Sequence, residues 1–218
     1  GHSTTGTISS ATYNTALGLG ALDAITQGDY NVAIGYDAGT NITTGSQNIL
    51  VGRQAGDALT TGSDNVAVGH GALKTEDTHG KNVAIGYEAL KVQDAGADAY
   101  NTAIGYQAGV AVSTGTHNVL LGGKAGDSLN TGSANIAIGY EALQYETAYG
   151  NNVAIGHQAL NSLRAGAAGY NVAIGDNAGV SMSTGVRNTI IGGLAGDAMT
   201  TGVDSVAVGH NALGALTI

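Results

Sequence analysis

A five-residue word, typified by Asn31-Val32-Ala33-Ile34-Gly35, returns at a nearly fixed interval through almost the whole chain. Read as N-x-A-[ILV]-G, with the middle Ala replaced in three copies, it begins at Asn14, Asn31, Asn48, Asn65, Asn82, Asn101, Asn118, Asn135, Asn152, Asn171 and Asn188, and at Ser205 with Ser for Asn. The steps are 17 residues except for two of 19. Self-similarity at so regular a period specifies a solenoid, each unit one coil stacked on the next. The expected fold class is therefore all-β: a parallel β-solenoid, or β-roll, of about twelve coils of 17 to 19 residues.

Counting each coil from its Asn as position 1 separates the physical roles. Positions 2 and 4 are Val, Ile, Leu or Thr and share one side of a strand, while position 3 takes the other. Position 5 is Gly throughout, from Gly18 to Gly209, which fits a bend or a close approach of another backbone. Position 8 is Ala throughout, from Ala21 to Ala212, where a larger side chain would meet the next layer. Position 1 makes an Asn ladder suited to amide hydrogen bonds from coil to coil.

Position 9 alternates in pairs: Gly39 and Gly56, Leu73 and Leu90, Gly109 and Gly126, Leu143 and Leu160, Gly179 and Gly196, then Leu213. With the longer coils this makes a 70-residue superrepeat starting at Asn31, Asn101 and Asn171, the last incomplete. Thr-Gly pairs at Thr44-Gly45, Thr61-Gly62, Thr114-Gly115, Thr131-Gly132, Thr184-Gly185 and Thr201-Gly202 read as turns in which Gly takes positive φ. Segments 74–81, 91–100, 144–151 and 161–170 vary most and read as surface. No stretch keeps a helical period, and Gly interrupts every few residues. Residues 1–13 read as a lead-in opening on the tag remnant Gly1-His2-Ser3. A single repeat domain spans 14–218 and is expected to continue or be capped beyond Ile218 in the natural protein.

Composition agrees with a narrow interior. The 218 residues contain 37 Gly and no Phe, Trp, Pro or Cys, so small residues must fill the space and neither disulfides nor a Cys-based metal site can contribute. Seven Lys and Arg against sixteen Asp and Glu give a net charge of −9, which disfavours nucleic acid and anionic membranes as partners. No apolar run approaches the roughly 20 residues of a membrane span.

Whichever way its parity falls, the strand is apolar on both faces, and such strands are normally buried on both sides. Association of identical chains about an axis is the economical solution. The expected packing column is position 3: Ala33, Leu50, Ala67, Ala84, Ala103, Leu120, Ala137, Ala154, Ala173, Ile190 and Ala207. In it Ala permits close approach, and Leu or Ile adds bulk in the second coil of each superrepeat.

The unit N-V-A-I-G-Y-x-A-[GL], followed by a Thr-Gly turn and the next Asn, resembles the repeats of trimeric autotransporter adhesin heads. It is closer still to the N-T-A-I-G-Y-x-A-L repeats of bacteriophage tail-fibre and related fibrous adhesin proteins. The resemblance runs from Asn14 to Leu213. It implies a left-handed β-roll assembled as a homotrimer, a shaft or head on a virion tail fibre or a cell surface, and a host-surface glycan or protein as receptor.

The candidate ligand-binding residues are the rings at position 6, Tyr36, His70, Tyr87, Tyr106, Tyr140, His157 and His210, because sugar faces stack on rings and their polar rims supply hydrogen bonds. The same residues serve equally as inter-chain packing, as do Tyr30, Tyr100 and Tyr170. Asp57, Asp127 and Asp197 recur every 70 residues and are weak metal candidates, since three symmetry copies of each could meet; a turn role is the ordinary alternative. No catalytic motif is present in context, and no cofactor is expected. The expected function is a non-enzymatic structural and adhesive fibre segment. The alternatives are an ice-binding solenoid, from its recurring Thr, or a polysaccharide depolymerase of a tail spike, from its carboxylates.

Overall fold

A computed structural model of the chain describes residues 10–214. The expected tag remnant Gly1-His2-Ser3 and the chain end at Ile218 lie outside the described residues. Twelve strands, from β1 (Thr15–Leu17), β2 (Val32–Ile34) and β3 (Ile49–Val51) onward to β12 (Val206–Val208), form one parallel sheet in strict sequence order. Each strand is three residues long and covers positions 2 to 4 of its coil. The register pairs like with like, Val32 with Ile49, Ala33 with Leu50 and Ile34 with Val51, so every position becomes a column along the solenoid. At about 4.8 Å per strand the sheet is roughly 55 Å long. There is no helix among the described residues.

Most of each coil is turn, and most of its backbone groups bond to an adjacent coil, while a few close within the coil, as Ile42 N–H does on Gly39 O at 3.1 Å. The Thr43 carbonyl accepts from the N–H groups of Thr26, Gln27 and Gly28, and Thr60 does the same for Thr43, Thr44 and Gly45. The Asn ladder continues this pattern through side chains. Asn48 donates from its backbone N–H and from Nδ2 to Asn31 Oδ1, both at 3.0 Å, while Nδ2 also reaches Gly62 O at 2.9 Å within its own coil. The Asn side chains from Asn31 to Asn188 are buried, which a polar column tolerates only when its amides are paired.

Gly at position 5 answers two requirements together. Gly35 has φ of 135°, a region essentially closed to other residues, and a β-carbon there would lie 2.5 Å from Gly52 O in the next coil. The Thr-Gly pairs differ from expectation. Gly45, Gly62 and their equivalents do not take positive φ; the left-handed residue comes two positions later, at Gln47 (φ 61°), Asp64 (φ 61°) and their equivalents. Gly is needed in the pair because a β-carbon on Gly45 would run into the Gly62 carbonyl.

The strand parity corrects a second expectation. Ala33, Leu50, Ala67, Ala84, Ala103, Leu120, Ala137, Ala154, Ala173 and Ile190 are wholly buried, and Ala207 nearly so, within the single chain. Position 3 is thus the interior column and cannot be the surface that meets another chain. Its alternation belongs with that at position 9. A β-carbon on Gly39 or Gly56 would lie 2.6 or 2.7 Å from a Leu50 methyl, so one Leu fills the room left by two glycines. Leu120 with Gly109 and Gly126 repeats the arrangement. In coils with Ala at position 3, such as those of Ala67 and Ala84, Leu73 and Leu90 supply the bulk from position 9. The interior keeps constant volume by moving a large residue between two columns.

Leu120→Ala is expected to destabilise the fold by about 2–5 kcal/mol in denaturant titration. Leu120→Ala combined with Gly126→Leu, which reproduces the other coil type, should recover part of that loss. Strictly additive losses would show that the two columns do not share one space.

Candidate functional site

With position 3 inside, positions 2 and 4 form the outer face of the sheet: a ribbon of Val, Ile and Leu interrupted only by Thr15, Thr102 and Thr189. Ile49, Ile104, Ile136, Ile174 and Ile191 are among its exposed members. On one side the ribbon is bordered by the left-handed residue before each Asn, which is position 17 of most coils and position 19 of the two longer ones. Here Tyr13 stacks on Tyr30 at 4.9 Å, Tyr100 stacks on His117 at 5.4 Å, Lys81 Nζ lies 5.2 Å from the Tyr100 ring, and Tyr170 stands exposed. The backbone needs φ near 59° at Tyr30, so these rings leave the coil at its corner and stand outward.

The other border is position 6, immediately after the Gly bend, and it holds the expected ligand-binding residues. His70, Tyr87 and Tyr106 form one stack with ring spacings of 5.3 Å, and Tyr140 and His157 a second at 5.9 Å. Tyr36 joins the first stack through Arg53, whose guanidinium lies 5.9 Å from the Tyr36 ring centre and 3.4 Å from His70 Nε2. Asp176 extends the second stack by pairing with His157 at 3.1 Å. Gly123 and Gly193 are gaps, and Gly193 separates His210 from the rest. A continuous strip of open ring faces is therefore not formed: within a stack the faces cover one another and present their edges outward.

The recurrent aspartates are in dissimilar settings. Asp127 Oδ1 accepts from Ser128 at 3.0 Å and Oδ2 from Gln144 at 3.2 Å. Burial raises the Asp57 carboxyl above the usual carboxylate range, with Lys74 opposing, and Asp197 Oδ1 is buried without a partner. Among the described residues no three His, Cys, Asp or Glu side chains gather to hold a metal ion.

Two carboxylates escaped the sequence reading because they lie in segments taken as surface. Glu76 and Glu146 occupy position 12, a column of buried Ile42, Leu59, Val112, Leu129, Met182 and Met199 in other coils, and both are fully buried. An acid in a column that elsewhere holds buried apolar residues and Gln93 is the available signal. Glu146 is satisfied by four backbone N–H groups: Oε1 accepts from Thr147, Ala148 and Tyr149, and Oε2 from Ala165 at 2.8 Å. Glu76 accepts from His79 N–H at 3.3 Å, has His79 Nδ1 at 3.9 Å from Oε1, and leaves Oε2 without a partner. Burial, reinforced by Asp94 and partly offset by the His79 N–H, pushes its pKa up to about 7.

Comparison with known proteins finds no matching family model, curated protein or solved structure. Among the described residues no helix is long and apolar enough to cross a membrane.

Because Glu76 holds its proton more tightly folded than unfolded, its contribution to stability is fully present below its ordinary pKa of 4.5 and lost as pH rises toward 7. Unfolding midpoints measured across that range should fall more steeply for the wild type than for Glu76→Gln. Parallel pH profiles would contradict this assignment.

Proposed function

We propose that the chain is a non-enzymatic structural and adhesive fibre segment, a homotrimeric β-solenoid that serves as shaft or head of a tail fibre or surface adhesin and contributes to receptor binding. The apolar ribbon of positions 2 and 4 is the observation that carries this reading. Soluble monomers rarely expose a contiguous apolar surface above a few hundred Å². A ribbon roughly 55 Å long and 10 Å wide amounts to about 550 Å² per chain before its bordering rows are counted. Shared among the three pairwise interfaces of a trimer, the ribbons supply about 550 Å² to each, so the bordering rows must contribute the remainder of a standard interface of roughly 1,600 Å².

Identical chains are the fitting occupants because the ribbon is periodic and nearly uncharged, so copies related by an axis meet in register at every coil. The number three follows the resemblance to trimeric fibre repeats. In this arrangement the contact residues are Ile34, Val51, Ile85, Ile104, Ile138 and their neighbours at positions 2 and 4, in place of position 3. The corner rows remain at the periphery, where three copies of a weak site gain avidity. A ribbon with so few Thr offers no array matched to ice, so the ice-binding alternative loses its surface there.

Light scattering should give three times the chain mass of 21.4 kDa. Ile104→Glu, which places a charge on the exposed face, should lower the assembled mass while retaining the β-sheet circular dichroism; Leu120→Ala should lower stability while leaving the mass trimeric. A wild-type monomer would overturn the assembly, and full assembly of Ile104→Glu would move it to another face.

A further inference from the structure

The position 6 row contains an internal comparison. Tyr36, Arg53 and His70 of the first superrepeat correspond, 70 residues later, to Tyr106, Gly123 and Tyr140. In the first, the planar Arg53 guanidinium occupies the rung between two rings, lying 5.9 Å from Tyr36 and hydrogen-bonded to His70. In the second, Gly123 leaves that rung without a side chain. Tyr106 is consequently the end of its stack: it is 54% exposed, against 42% for Tyr87, which has a ring on either side. The Tyr140 ring leans over Gly123, its Cδ2 3.3 Å from where a β-carbon would be, and closes the far side.

Two coil steps put the flanking rungs about 9.6 Å apart; with Tyr140 leaning toward Gly123 the space between the rings narrows, and it is the open face of Tyr106 that a flat guest would cover. The neighbours decide its chemistry. Lys124 follows Gly123 and donates its backbone N–H to Tyr106 O at 2.8 Å, while Glu141 follows Tyr140 and donates its backbone N–H to Gly123 O at 3.0 Å. The Glu141 carboxylate is hydrogen-bonded to the Tyr140 hydroxyl and accepts from Gln158 Nε2 at 2.8 Å, and Lys124 is close enough to act electrostatically on both Tyr140 and Glu141, so charged groups stand at the Tyr140 rim. A second cation like that of Arg53 is opposed by Lys124, whereas a pyranose offers an apolar C–H face to Tyr106 and hydroxyls to both charged groups.

We infer that the missing rung at Gly123, walled by Tyr106 and Tyr140, is a binding slot for one pyranose ring of a surface glycan. This rests on the adhesive part of the reading above and is independent of the number of chains. At Gly193 the flanking residues are Asp176 and His210, which supply no opposed pair of rings, so each chain has one slot.

The test is a ligand-observed NMR titration of the full chain with methyl β-D-galactopyranoside, methyl α-D-glucopyranoside and N-acetyl-D-glucosamine, each alone. At least one should bind with a Kd in the millimolar range, one per chain, with saturation transferred mainly to ring C–H protons. Gly123→Arg copies the rung of the first superrepeat and does not require positive φ, so it should fold as the wild type does and weaken binding about tenfold or more. Tyr106→Ala should weaken it similarly, and Arg53→Gly should open a second slot between Tyr36 and His70. Absence of binding by all three sugars, unchanged binding by Gly123→Arg, or binding of N-acetyl-L-phenylalaninamide in their place would overturn the inference. Light scattering on the same samples separates the two readings: a trimer that binds no sugar removes the slot alone, and a monomer that binds sugar removes the assembly alone.

Discussion

Everything in this molecule depends on most of its backbone groups finding their partners one coil away. Strands of three residues cannot hold a sheet alone, and the turns that make up the rest of each coil satisfy only a few of their groups internally, as Ile42 N–H does on Gly39 O. The coils therefore stack at strand spacing around their whole perimeter, with carbonyls such as Thr43 O and Thr60 O each serving several N–H groups of the coil before. The Asn column adds a buried polar spine whose amides bond both to the neighbouring coil and across their own. At that spacing a side chain on Gly35 or Gly45 would strike the next coil's carbonyl. The interval between copies of the repeat is the covalent expression of this stacking.

The second constraint is volume. An interior only a few side chains wide cannot take large residues in every column, and it cannot leave them all small without voids. Leu50 against Gly39 and Gly56, alternating with Leu73 and Leu90 behind Ala67 and Ala84, keeps the filling even. The same columns make the two buried acids conspicuous. Glu146 is tolerated because four N–H groups offset the cost of burial, while Glu76, in the equivalent place, has Oε2 without a partner, and its burial raises its own pKa. Local loop geometry separates two residues that the repeat places in identical positions.

The position 6 row was legible as a series of rings, from Tyr36 to His210, because it follows an invariant Gly at a fixed offset. Their mutual stacking was not, since it depends on side-chain direction at a corner. Nor was the importance of Arg53 and Gly123, which are interruptions when the row is read as a series and become informative once the guanidinium is seen lying on Tyr36. Asp57, Asp127 and Asp197 share a place in the repeat yet differ in their partners, because the segments facing them come from different coil types.

The sequence by itself determined the all-β class, the coil boundaries, the in-register columns and the need for Gly at position 5, because a strict period leaves only one way to stack identical units. The tertiary structure decided which strand face points inward. Alternation along three residues defines two faces without saying which is which, and both were apolar here. Closing the coil puts Ala33 and Leu50 against the far wall and leaves Ile34 and Ile49 outside, since only the column that meets position 9 must vary its size to match it. Position 3 is thereby assigned to the interior of one chain rather than to a contact between chains.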